Sequence, residues 1–204
     1  MTGSRGLRVS RALLLVASSL LLIAALAVFI IARPHFGRPV TYAGTPITPP
    51  KAASDATLLD GKGQPAHVLA PGVPLTFLFF GYTHCPDECP LALASLAKAY
   101  RDLPPAQAAR TRIVFVTVDP EHDSPAVVER YVTGFDPHFI GLTDSRAALE
   151  PLWKAYGVAV NPESHEISHG DAIYAIDATA HVVLIYPPSV PAADLASDAA
   201  KLTS

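Results

Sequence analysis

Residues 77–100 read FLFFGYTHCPDECPLALASLAKAY and hold both cysteines of the 204-residue chain, Cys85 and Cys89. Before them runs PLTFLFFGY, residues 74–82, an apolar stretch bounded by Pro74 and Gly81. Such a run predicts a strand buried on both faces, central in a covered sheet. LALASLAKAYRDL follows with helix formers throughout and predicts a helix starting near Pro90. The cysteines therefore fall in a strand-to-helix turn at the carboxyl end of a central strand, where α/β sheets place their sites. A helix N-terminus at that point stabilises a thiolate. Cys85 is expected to be the more exposed, with Cys89 in or near the first turn. A spacing of four sets both sulfurs on one side of a turn, facing a common third atom.

Outward from this turn the chain alternates. RIVFVTVD (112–119) reads as a second buried strand, and SPAVVERYVTGF (124–135) as a helix with Ser124 as N-cap and Pro125 in the first helical position. FIGL (139–142) is a short third strand, and DSRAALEPLWKAYG (144–157) a helix closing on Gly157, with Trp153 and Tyr156 in its core face. VAVNPESHEISHGD (158–171) reads as a polar loop. AIYAID and HVVLIY flank ATA as an antiparallel hairpin, and PAADLASDAAKL (191–202) is a final helix. Upstream, ATLLDGKGQPAHVL (56–69) reads as two short strands around DGKG. The order predicts an α/β sandwich on a mixed sheet.

The N-terminus differs in kind. Arg5, Arg8 and Arg11 precede residues 12–32, which carry no charge and rise roughly 31 Å as a helix, about the hydrocarbon thickness of a bilayer. The apolar run continues past the weak A-x-A match at Ala25 and Ala27, so an uncleaved signal anchor is favoured over a cleaved signal peptide. The arginine bias sets the N-terminus inside, and the rest on the far side of the membrane, where disulfides are allowed. The expected division is 1–11 inside, 12–32 spanning, 33–54 a Pro-rich tether, and 55–204 the globular domain. Beyond residue 33 all 18 acidic residues face the remaining 11 basic ones, a net of −7. That balance repels nucleic acid and fits a basic partner or a cationic cargo, while also serving plain solubility.

A disulfide between residues four apart closes a very short loop and removes little entropy from the unfolded chain, which makes it a poor staple. Redox chemistry and metal binding remain. Soft thiolates select copper(I), and two cysteines with one histidine hold either copper oxidation state. Among the eight histidines, His35 and His67 fall outside the expected site, and His138 and His181 read as surface residues. His122 follows the second strand at the same sheet edge. His84 abuts Cys85, but neighbours along an extended chain point to opposite sides. His165 and His169 lie in the polar loop that can fold back over the sheet edge. Asp87 and Glu88 read as solvated charges between the cysteines.

FGYTHCPDECP, then VTVDPEHDSP, then SHGDAIYAID, behind one N-terminal span, resemble the Sco/SenC family of copper chaperones over about residues 55–200. The resemblance implies a thioredoxin-like fold, a central mixed sheet flanked by helices. It implies one copper ion held by Cys85, Cys89 and His169, with Asp119 as a group near the site. His165 does not align, and Gly170 stands where the family usually shows Ser or Thr. The implied role is a single-pass membrane metallochaperone facing the periplasm or extracytoplasmic space. It would take copper, from another extracytoplasmic donor, to the dinuclear copper site of cytochrome c oxidase subunit II. A thiol–disulfide reductase using the same cysteines is the alternative. A peroxidase on the same fold ranks below both, for want of the matching cysteine and arginine set.

Overall fold

A computed structural model describes residues 11–31, 40–161, 167–169 and 171–204; for residues 11–13, 29–31 and 167–169 it gives the backbone alone. The chain divides into two compact units, residues 1–41 and Tyr42–Ser204.

The first unit contains α1 (Arg11–Ile31), 21 residues long. The described side chains along residues 14–28 are apolar or small and exposed. That described stretch is shorter than a bilayer core, and no helix is long and apolar enough to cross a membrane when the described residues alone are counted.

The second unit is built from β1 (Thr45–Ala52), β2 (Thr57–Leu59), β3 (Pro65–His67), β4 (Leu75–Gly81), α2 (Glu88–Asp102), α3 (Pro105–Ala108), β5 (Thr111–Thr117), α4 (Pro125–Thr133), β6 (Ile140–Leu142), α5 (Arg146–Tyr156), β7 (Ala159–Val160), β8 (Ile167–His169), β9 (Ile173–Asp177), β10 (His181–Tyr186) and α6 (Ala192–Leu202). Six strands form one mixed sheet in the order β1-β10-β9-β4-β5-β6. β4, β5 and β6 are parallel, and the other neighbours antiparallel.

All seven residues of β4 are buried. The strand alternates between two covered faces. Phe80 meets the rings of Tyr156 on α5 and Tyr174 on β9, while Gly81 faces Cys89 on α2. Each phenylalanine so buried contributes about 1.5–3 kcal/mol of apolar transfer. Trp153 and Tyr156 are core residues, as their helix pattern predicts. Gly157 closes α5 at φ +72°, a left-handed position that glycine adopts without a Cβ penalty. Ser124 precedes Pro125 at the start of α4, although its hydroxyl makes no capping hydrogen bond.

Two expectations need correcting. The tether does not run to residue 54: β1 pairs with β10 as the edge of the main sheet, so the sheet domain takes in Thr45–Ala52. Its prolines are tolerated because an edge strand pairs on one side only, and the register shifts between Pro46 and Lys51. The stretch after α5 is not all loop: β7 and β8 pair, Ala159 opposite His169.

Topology decides where the site lies. β4 runs toward Gly81, and β9 runs antiparallel beside it with Ile173 opposite Phe79. The chain entering β9 therefore passes the same sheet edge at which β4 releases the cysteine turn. β5 ends there too, with Thr117 opposite Gly81. Three segments distant in sequence meet at one edge.

Candidate metal centre

The turn after β4 is fixed from below. Asp123 is fully buried, accepts the Thr83 amide at 3.1 Å and the Thr83 hydroxyl at 2.6 Å, and also accepts the Thr117 hydroxyl. One carboxylate thus ties the end of β5 to the turn that carries the cysteines. Asp123 escaped the sequence reading as an individual residue, although it is the second aspartate of VDPEHDSP. Its spacing after a buried strand was the available signal.

Asp87 precedes α2 but makes no capping hydrogen bond from its side chain. The sulfur of Cys85 takes that place, accepting the Cys89 amide at 3.5 Å. The free amides of a first helical turn are the donors that stabilise a thiolate. Partial burial pushes the Cys85 thiol up. The Asp87 and Cys89 amides, the Cys89 thiol and the Tyr82 side chain outweigh it, and the net shift is downward. Cys89 is 3% exposed and moves the other way. Burial, the proton shared with Cys85, and the charges of Cys85 and Glu88 hold its thiol far above the ordinary value, although the Tyr82 backbone pulls slightly down. The proton of the pair belongs on Cys89.

Gly81 makes room for this packing. A Cβ there would lie 2.8 Å from Cys89 Sγ and 2.8 Å from the Phe115 ring. The two cysteines line a cleft of about 210 Å³ together with Phe79, Tyr82, Glu88 and Asp171. Both cysteines are free thiols. Glu88 is the first residue of α2 rather than part of the loop. Its carboxyl is pushed upward, chiefly by a hydrogen bond with Asp171 and then by partial burial and the Asp171 and Asp87 charges. The cleft rim is therefore acidic, a surface that draws cations.

Two sulfurs in one cleft suit a soft ion and leave it short of a full coordination shell. His169 ends β8, two residues before the cleft-lining Asp171. Its side chain, and all of His165 and Gly170, lie outside the described residues.

Asp119 is fully buried and stands under two imidazoles. His84 Nε2 is 3.1 Å from Asp119 Oδ2, and His122 Nδ1 is 2.9 Å from the same oxygen. The two rings meet edge-on, with centroids 5.3 Å apart. His84 turns to Asp119 while Cys85 turns to α2, as expected, but the cause is a tight turn, closed by the Cys85 amide donating to the Tyr82 carbonyl at 3.3 Å, and not an extended chain. The gathering of His84, Asp119 and His122 was missed, because it depends on the parallel pairing of β4 with β5. His67 and His138 instead pair with Asp55 and Asp136, each at 2.8 Å.

Comparison with known proteins agrees with this architecture. The SCO1/SenC family model matches residues 46–204. The chain belongs to the SCO1/SenC family. The mitochondrial protein SCO2 homolog of Mus musculus is 36% identical over 135 residues, 60% of this chain and 51% of that one. The chain thus spans about half the length of the SCO2 homologs it matches, with 48% covered in Bos taurus. The apo Sco1 protein of Thermus thermophilus superposes with a TM-score of 0.71 at 32% identity, over 81% of this chain and 99% of the other. Arabidopsis thaliana ScoI, solved with copper bound, gives 0.65 at 28% identity over 74% and 97%. The SCO1/SenC architecture accounts for the mixed sheet with helices on both faces.

Proposed function

We propose that this SCO1/SenC protein is a membrane-anchored copper metallochaperone. In this reading Cys85, Cys89 and His169 bind one copper ion per chain. The protein passes it to the dinuclear copper site of cytochrome c oxidase subunit II, the recipient that the family resemblance implies. The observation that carries the reading is the pair of free thiols in one cleft, the outer one set at a helix N-terminus. The copper-bound Arabidopsis relative supports it. Copper is cargo: the ion exchanges donors with partner thiolates, and no substrate bond is made or broken. α1 serves as the anchor, its preceding arginines on the inner side, with the sheet domain facing the periplasm or extracytoplasmic space. The acidic rim at Glu88 and Asp171 faces incoming copper or a basic partner surface.

A second reading is favoured by the split between the thiols. A nucleophilic outer Cys85 beside a buried, proton-holding Cys89 is the arrangement by which a dithiol reduces a partner disulfide. Cys85 attacks one partner sulfur and releases the other. Cys89, once deprotonated, then attacks Cys85 Sγ, leaving the partner as two thiols and this chain as a disulfide.

His169→Ala in the full chain separates the two. Removing one of three ligands leaves a dithiolate that copper(I) accepts, whereas copper(II) needs more donors and is lost more completely. Reduction of a partner disulfide survives, because that exchange does not pass through the imidazole. His165→Ala leaves both activities intact. If His165→Ala loses copper(II) and His169→Ala keeps it, His169 is not the third ligand. If neither variant alters metal binding while Cys85→Ser loses reduction, the reductase reading replaces the chaperone.

A further inference from the structure

His84, Asp119 and His122 lie beside the thiol pair but do not share its cleft. Their donor atoms lie within 4.8 Å of one another. Two imidazoles and one carboxylate are a borderline donor set that holds copper(II) or zinc(II) and suits copper(I) less well than thiolate. We propose that His84, Asp119 and His122 form a second cation site, taking a divalent ion of the copper(II) or zinc(II) type one residue away from Cys85.

On the carboxylate side the geometry needs little adjustment. Nitrogen and oxygen ligands about 2.0–2.1 Å from a tetrahedral ion sit roughly 3.3 Å apart. The His122 and His84 nitrogens stand 2.9 and 3.1 Å from Asp119 Oδ2, so each has only to retreat from the carboxylate by a few tenths of an ångström, while the two nitrogens, within 4.8 Å of each other, close around the ion. The carboxylate is preorganised. Asp119 is fully buried, its amide donates to Thr117 Oγ1 at 3.0 Å, and its carbonyl accepts the amides of His122 and Asp123. The Thr117 hydroxyl in turn donates to Asp123, the residue that also holds Thr83 beside His84.

The imidazoles supply access. His84 and His122 side chains are 54% and 62% exposed, so an ion arriving from solvent meets the rings first and keeps a solvent-facing coordination position. Binding through His84 Nε2 and His122 Nδ1 needs each ring's proton on its other nitrogen, a tautomer that two half-exposed rings can adopt. The nearby cation is already neutralised. Arg146 donates from Nε and an Nη to the two carboxylate oxygens of Glu121, both at 2.9 Å. His138 shows the contrast: it pairs with Asp136 at 2.8 Å, and no second imidazole completes a set there among the described residues.

The site does not depend on the chaperone reading, and its test removes the thiols. The full chain carrying Cys85→Ser, Cys89→Ser and His169→Ala, in detergent, is titrated with zinc(II) by calorimetry and with copper(II) by electron paramagnetic resonance. One equivalent of ion per chain is expected, with coupling to two nitrogens in the copper(II) spectrum; the tighter arm names the preferred cation. Adding His122→Ala or His84→Ala should weaken binding by about tenfold or more, the least that loss of a ligand should cost. Adding His138→Ala should leave it unchanged. Circular dichroism checks that each variant keeps its fold, which is expected because both imidazoles are exposed. Failure of the parent variant to bind either ion stoichiometrically overturns the proposal, as does equal binding after both His84 and His122 substitutions.

Discussion

The turn between β4 and α2 presents two opposite faces. On one, Cys85 and Cys89 sit against a helix N-terminus with Phe79 beside them, soft donors under an acidic rim of Glu88 and Asp171. On the other, His84 leans on a buried carboxylate that His122 also meets, with hard and borderline donors around a fixed negative charge. Residues adjacent in sequence are sorted into different chemistries by the tight turn at residues 82–85 and by the neighbour each side finds. The helix supplies the thiol face through its amides, whereas the loop after β5 supplies the imidazole face through Asp119. The contrast shows that a metal-binding turn is specified as much by the segments packed beside it as by its own residues.

The sharpest way to break this contrast is Asp123→Ala, because Asp123 holds both faces. The Thr83 amide and the Thr83 and Thr117 hydroxyls would lose their shared buried acceptor, a loss of about 2–4 kcal/mol. Chemical unfolding followed by the fluorescence of Trp153, the sole tryptophan, measures it. A loss under about 0.5 kcal/mol, the range of ordinary surface changes, would show that the two segments are held otherwise.

Gly81→Ala should act on the thiol face alone. The added methyl collides with Cys89 Sγ and the Phe115 ring, costing about 1–3 kcal/mol as overpacking. Copper(I) binding should weaken. Zinc(II) binding in the thiol-free variant should be unaffected. Equal effects on both metals would mean that the faces are not separate.

The smallest effect is a pH profile. Alkylation of the metal-free reduced chain should begin at Cys85, with a rate that rises through an inflection below the ordinary cysteine range. The thiolate is the reactive form, and its pKa is lowered. Cys89 should stay unmodified over the same range, since its thiol is held up. Mass spectrometry of the singly alkylated product identifies the residue. Equal modification of both would contradict the split.

β4 and β5 were legible because strands covered on both faces are apolar without interruption. α2 and α5 were legible from helix formers and from Gly157. β1 was not, because Pro46, Pro49 and Pro50 read as tether, and only the edge position after folding explains their tolerance. β7 and β8 are two and three residues long, too short to carry a period. Within the site, the greater exposure of Cys85 and the place of Cys89 in the first turn of α2 followed from the strand-to-helix turn; the near-complete burial of Cys89 did not. The roles of Asp123 and His122 did not, since each acts between the loops that follow β4 and β5, which the parallel pairing of those strands brings together. That pairing, once inferred from the two apolar runs, was the missing step.

Copper(I) stoichiometry of the full chain before and after oxidation of Cys85 and Cys89 tests the central claim most directly. Copper(I) is the right probe because it seeks the sulfurs and discounts the imidazole cluster. One ion per chain is predicted for the reduced protein and none for the disulfide, whose sulfurs are no longer thiolates. Equal copper(I) binding by the oxidised protein would contradict the assignment of the ion to the thiol pair.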